Sequence, residues 1–113
     1  MHELAITRNI IAIVDSESEK NGFERVVEIS LRVGEYSGIV PSCIREFFPI
    51  AAKGTKAENA ELTIEMIPAS FLCLDCGYEG AADRVNHCCP VCRSDALKMT
   101  AGREFFVENL KVE

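Results

Sequence analysis

Two C-x-x-C pairs restrict this chain more than anything else in it. Cys73 and Cys76 form the first, within FLCLDCGYEG. Cys89 and Cys92 form the second, within NHCCPVCRSD, and twelve residues separate the pairs. Two such segments on facing tight turns offer four thiolates at tetrahedral corners, an arrangement that suits Zn²⁺ because a filled d shell imposes no competing geometry. Gly77 and Pro90 fit those turns. Four sulfurs leave no coordination place for water or substrate, so a zinc held this way supplies folding energy and not catalysis. An iron–sulfur site and a redox dithiol are the rival uses. Thiol oxidoreductase chemistry would set one C-x-x-C beside a βαβ unit; none is read in this chain, and the second pair would be left without a role.

The metal reading depends on the compartment. The longest early apolar run, Ile10 to Val14, is far short of the roughly 20 residues that span a bilayer, and no basic segment precedes it as a secretory signal would require. A cytoplasmic protein without a membrane span is expected, and there six cysteines do not form a disulfide framework. Cys88 could replace Cys89 in a looser pair, but the two-residue spacing favours Cys89. His87 is read as a surface neighbour of a site that four cysteines already fill, and Cys43 as a small buried hydrophobe on a helix.

Zinc ribbons often bind nucleic acid, and charge speaks against that here. The chain carries a formal net charge of −6, whereas phosphate binding depends on displacing counterions with Lys and Arg. Between Ala69 and Gly102 the bases Arg84, Arg93 and Lys98 face the acids Asp75, Glu79, Asp83 and Asp95, and only Phe71 and Tyr78 are available for stacking.

Around the cysteines the sequence has the periodicities of an α+β domain. From Leu4 to about Lys20, Leu4, Ile6, Ile10, Ile11, Ile13 and Val14 cover half of a helical wheel, and Asn21-Gly22 supplies the stop. Val27, Ile29, Leu31 and Val33 alternate with polar residues as a strand does, up to Gly34. Pro41 suits the first turn of a second helix running towards Lys53, in which Pro49 predicts a kink or an early end. Leu62, Ile64 and Met66 mark a second strand. Glu104 to Val112 marks a third, with Phe106, Leu110 and Val112 sharing a face with Glu108. The expectation is a three-stranded antiparallel sheet with two helices, built from residues 1–68 and 103–113. Residues 69–102 form an inserted zinc-ribbon-like domain, too poor in large apolar side chains to fold without a cross-link.

The opening Met1-His2-Glu3 adds a second candidate metal site. The terminal amine, the His2 backbone nitrogen and the His2 imidazole are joined by short covalent links, and the Glu3 amide could add a further nitrogen. Such a set favours Ni²⁺ or Cu²⁺, which displace amide protons, over Zn²⁺. Composition and spacing alone leave a solvated histidine as the ordinary reading of a Met-His start. The opening MHEL, the amphipathic first helix, VVEISLRVGEYSG, the strand before C-x-x-C and the C-P-x-C pair together resemble the hydrogenase nickel-incorporation (HypA) family over nearly the whole chain.

That resemblance implies a nickel metallochaperone and not an enzyme. His2 would be the essential nickel ligand, Glu3 a backbone ligand or orienting neighbour, and Cys73, Cys76, Cys89 and Cys92 the ligands of a structural zinc. It implies a HypB-like partner GTPase and the large subunit of nickel–iron hydrogenase as recipient. It also allows urease maturation proteins as further partners, and a homodimer. Some family members use a polar residue in the loop after the first strand to support the nickel, whereas here Val40 ends a loop reading Glu35-Tyr36-Ser37-Gly38-Ile39-Val40 and has no donor side chain. The reading from a different class is a zinc-ribbon adaptor that docks proteins without a nickel role.

Overall fold

The computed structural model describes residues 2–113, His2 by its backbone alone. The elements are α1 (His2–Asn21), β1 (Val26–Gly34), α2 (Pro41–Ala52), β2 (Glu61–Ile67), β3 (Ser70–Cys73), β4 (Glu79–Gly80), β5 (Leu97–Ala101) and β6 (Phe105–Val112). They make two three-stranded sheets, ordered β2-β1-β6 and β4-β3-β5.

Helix α1 buries Thr7, Ile10, Ile11, Val14 and Ser18, the three- and four-residue spacing that repeats one helical face. Ile13, expected on that face, is instead 39% exposed. The two buried hydroxyls are satisfied inside the helix, Thr7 Oγ1 donating to the Glu3 carbonyl at 2.6 Å and Ser18 Oγ to that of Asp15 at 2.9 Å, so burying them leaves no orphan polar atom. Gly22 closes the helix with φ +73° and an N–H bond to the Ser18 carbonyl.

The first sheet is mixed, which corrects the expectation of a wholly antiparallel one. β1 and β2 run parallel, Ile29 opposite Leu62 and Val33 opposite Met66, and only β1 with β6 is antiparallel. The cause is α2: a helix between two strands carries the chain back, so the second strand starts again from the same end. A βαβ unit is therefore present, away from both C-x-x-C pairs. Helix α2 continues through Pro49 to Ala52. Arg45 and Pro49 lie exposed, one turn apart, so the missing hydrogen bond falls where water can replace it, while Ile44, Phe48 and Ala52 hold the opposite face in the core.

Register shifts in the β1–β6 pair correct two further expectations. One between Val26 and Glu28 puts Val26, not Val27, in the core. The other lets Asn109 and Val107 pair with the consecutive residues Ser30 and Leu31, leaving Glu108 as the extra residue of a bulge. Phe105, Val107 and Leu110 thereby pack on the core and Phe106 is exposed. Glu108 is no longer awkward: it reaches Arg32, which also pairs with Glu65 on the solvent face of the sheet.

The second lobe has almost no apolar interior. Among residues 69–101 the buried ones are Ala69, Cys73, Cys88 and Cys89, and none belongs to the hydrophobic cluster of the first sheet and helices. The molecule is elongated, 53 × 27 × 17 Å with a radius of gyration of 17.8 Å, where one compact domain of this length would have about 13 Å.

Candidate metal centre

The four sulfurs of Cys73, Cys76, Cys89 and Cys92 lie within 4.8 Å of one another. The closest approaches are 3.5 Å for Cys73–Cys92 and 3.6 Å for Cys76–Cys89. A tetrahedron with metal–sulfur bonds of about 2.3 Å has edges of about 3.8 Å, so the sulfurs stand close to the corners that Zn²⁺ requires.

Both turns are built alike. Cys73 donates its N–H to the Tyr78 carbonyl at 2.7 Å and accepts at its own carbonyl from Gly77 N–H at 3.0 Å. Cys89 does the same with Ser94, at 2.8 Å, and with Arg93, at 2.9 Å. The fourth residue after each first cysteine is left-handed, Gly77 at φ +80° and Arg93 at φ +68°. The backbone bonds of the turn hold Arg93 in a conformation that favours glycine, and its guanidinium Nη1 donates to Asp83 Oδ2 at 2.9 Å. Asp83 in turn accepts from the N–H groups of Val85 and Asn86. Those two bonds, that of Asn86 the larger, and then Arg93 hold its carboxyl below the usual aspartate range against the effect of burial.

The thiols compete for charge. Burial opposes ionisation of Cys89, but N–H bonds from Cys92 and Val91 outweigh it and bring that thiol down to about 7. The Cys76 N–H is the main influence lowering Cys73. Cys92 receives a favourable bond from Ser94 N–H, yet burial and the three neighbouring sulfurs push it up to about 12. A divalent cation is what lets all four ionise together.

Cys88 stands outside the group of four. It is buried, bridges to Asp83 through its backbone and lies 3.9 Å from Arg93 Nη1. His87, at φ +53°, lines a cleft of about 230 Å³ and does not join the cluster. Cys43 is half-buried on α2. The expected donors on Met1 and on the His2 side chain lie outside the described residues. The backbone shows α1 already formed at His2, and the first amides of a helix have no acceptor within it. Glu3 is half-buried in that first turn, and Val40 precedes α2 without a side-chain cap.

Sequence reasoning passed over Asp83, Arg93 and Glu35. A signal existed for Arg93, since it occupies in C-x-x-C-R the place Gly77 has in C-x-x-C-G. None existed for Glu35, whose partners Ala69 and Arg84 are 34 and 49 residues away.

Residues 1–112 match the family described as hydrogenase/urease nickel incorporation, metallochaperone, HypA. The hydrogenase maturation factor HypA of Chlorobium limicola is 37% identical over 113 residues, covering all of this chain and 97% of the relative. That of Methanocaldococcus jannaschii is 38% identical over 121 residues, covering all of this chain and 98% of the relative. Among solved structures, the solution structure of the nickel metallochaperone HypA from Helicobacter pylori superposes with a TM-score of 0.70 at 20% identity, over 97% of this chain and 96% of that one. A second, a solution structure of HypA protein, gives 0.76 at 22% identity over 100% and 97%.

Proposed function

The chain belongs to the HypA family of hydrogenase/urease nickel-incorporation metallochaperones, and on that premise we propose that it binds Ni²⁺ at His2 and Glu3 and hands it on for maturation of nickel–iron hydrogenase. The match over residues 1–112, which takes in the opening Met-His-Glu, carries this reading. The helix start supports it: amides of the first turn owe nothing to the helix, so a metal that displaces their protons breaks no backbone bond. Nitrogen donors gathered at the start of the chain suit transfer by ligand exchange. Protons compete for the imidazole and the terminal amine, with reference pKa values of about 6.5 and 8, so nickel affinity falls on acidification.

Zn²⁺ is assigned to Cys73, Cys76, Cys89 and Cys92 as a structural ion, in a domain of residues 69–102 set into a nickel domain of residues 1–68 and 103–113. The nearness of the sulfurs to tetrahedral corners supports that assignment. A HypB-like GTPase and the hydrogenase large subunit are the proposed partners, and the cytoplasm the proposed compartment. Among the described residues no helix is long and apolar enough to cross a membrane.

The test is nickel titration of tag-free protein beside His2→Ala, with bound zinc measured in both. The variant should lose more nickel affinity than the roughly 10- to 100-fold that removing an outer-shell partner costs, and keep its zinc. Equal nickel binding by the two proteins would refute the assignment of His2. A chain that takes up zinc but no nickel would leave the adaptor reading in its place.

A further inference from the structure

We propose that Glu35 is a latch that fixes the angle between the two lobes, with Arg84 as its counterpart on the cysteine lobe. The cleft between the lobes is lined by Glu35, Tyr36, Phe71, Asp83, Arg84 and His87 among others, and two of its carboxylates are already engaged. Asp83 is held by Arg93 and two amides within its own lobe. Glu35 alone reaches across: Oε1 accepts from Ala69 N–H at 2.9 Å and Oε2 from Arg84 Nη2 at 2.9 Å.

The chain crosses between the lobes twice, through Pro68-Ala69 and through Gly102-Arg103. Hydrogen bonds of the first sheet extend to the edge of these crossings, Gly34 N–H to the Glu104 carbonyl at 2.6 Å, Tyr36 N–H to that of Gly102 at 2.7 Å and Glu35 N–H to that of Ile67 at 2.8 Å. The pivot lies just beyond, where Gly102 at φ +121° meets Ala69. Two adjacent crossings leave one soft motion, rotation about the line that joins them. Little else opposes it. Among the described residues no two elements of different lobes pack broadly together, and the aromatic contact across the gap is the edge-on pair Tyr36–Phe71, with centroids 6.3 Å apart.

The bond of Arg84 to Glu35 ties the lobes together through side chains, apart from the two chain crossings, so it resists the rotation. Arg84 is also rigidly mounted, being next to Asp83, whose carboxylate fixes the loop to the Cys89 turn through Arg93. An exposed ion pair by itself contributes little. Glu35 is less exposed than its partner, 29% against 71%, and the same carboxylate also takes a charge-assisted bond from the pivot's own backbone.

Residual dipolar couplings of the metal-loaded full chain test this. One alignment tensor should fit the amides of both lobes in the unaltered protein and in Arg84→Lys, which keeps the charge. Two should be needed in Glu35→Ala and in Arg84→Gln. Exchange of the Ala69 amide should quicken about tenfold in Glu35→Ala, the worth of a bond to a charged acceptor, and stay unchanged in Arg84→Gln, where Glu35 remains. One tensor fitting both lobes in Glu35→Ala and Arg84→Gln would overturn the latch, and so would splitting in Glu35→Ala alone, which would reduce Glu35 to a local backbone cap.

Discussion

At Gly77 the first turn of the metal centre rests on a single backbone angle. A Cβ there would meet nothing within 4 Å, yet φ is +80°, so Gly77→Ala isolates the left-handed cost of about 1–2 kcal/mol from any packing change. The expected result in chelator competition is zinc affinity about tenfold weaker with the four thiolates still bound; unchanged affinity would mean that the turn relaxes freely. Glu104 allows a second residue-scale measurement, just past the crossing that leads back into the first lobe. Its carboxylate accepts from Gly102 N–H at 2.6 Å, and that bond first, then its own N–H, hold it below the usual glutamate range against burial. A depressed folded pKa stabilises above the unfolded value, about 4.3, and the contribution disappears as pH falls through the lower folded one. A carboxyl NMR titration should therefore find Glu104 with a midpoint under that of a free glutamate. Glu104→Gln should flatten the matching part of the stability–pH curve.

At the scale of helices and strands, periodicity shows both helices and the three strands of the first sheet, and spacing in the chain finds the four sulfurs; the short strands β3, β4 and β5 carry too few residues to show a period. What it missed is two-body information. Val27 alternates correctly with Ile29, but a bulge opposite Val112 turns Val26 inward. Phe106 is spaced correctly with Leu110 until Glu108 bulges out and reverses the faces. The parallel β1–β2 pairing follows from α2 lying between them, a connection rule that alternation within either strand does not contain. Glu35 stands in the loop where the sequence places it, but its partners Ala69 and Arg84 are brought to it only by the fold. Two substitutions probe these elements. A Cβ on Gly34 would overlap the Gly102 carbonyl and press on Arg103 N; both are backbone, so Gly34→Ala should cost about 1–3 kcal/mol or more as an overpacked site, seen as a lower denaturation midpoint. Pro49→Ala should do the reverse. It is exposed, so little packing is lost, and an N–H becomes available to the Arg45 carbonyl in a helix interior where proline costs about 3 kcal/mol; the melting temperature should rise.

Across the whole molecule, stability is divided unequally between the two lobes, and metal removal should expose the division. The first lobe buries Ile10, Val14, Val26, Ile29, Leu31, Val33 and Ile44 completely or nearly so around one cluster, each large side chain contributing about 1.5–3 kcal/mol. The second presents no such cluster. Two of its four buried residues are cysteines of the candidate centre, its strand β4 is two residues long, and Leu74, Val85 and Val91 are largely exposed. On the proposed zinc assignment its fold rests on metal–sulfur bonds, and binding free energy there is folding free energy. Chelation should accordingly remove amide-exchange protection from β3, β4 and β5 while protection in α1, β1, β2 and β6 persists. The Glu35–Arg84 bridge should go with it, because Arg84 is mounted on the Cys89 turn through Asp83 and Arg93. Readdition of Zn²⁺ should restore both. Loss of protection in both lobes at once would mean that the first sheet depends on the second for its stability, against the separation of their cores.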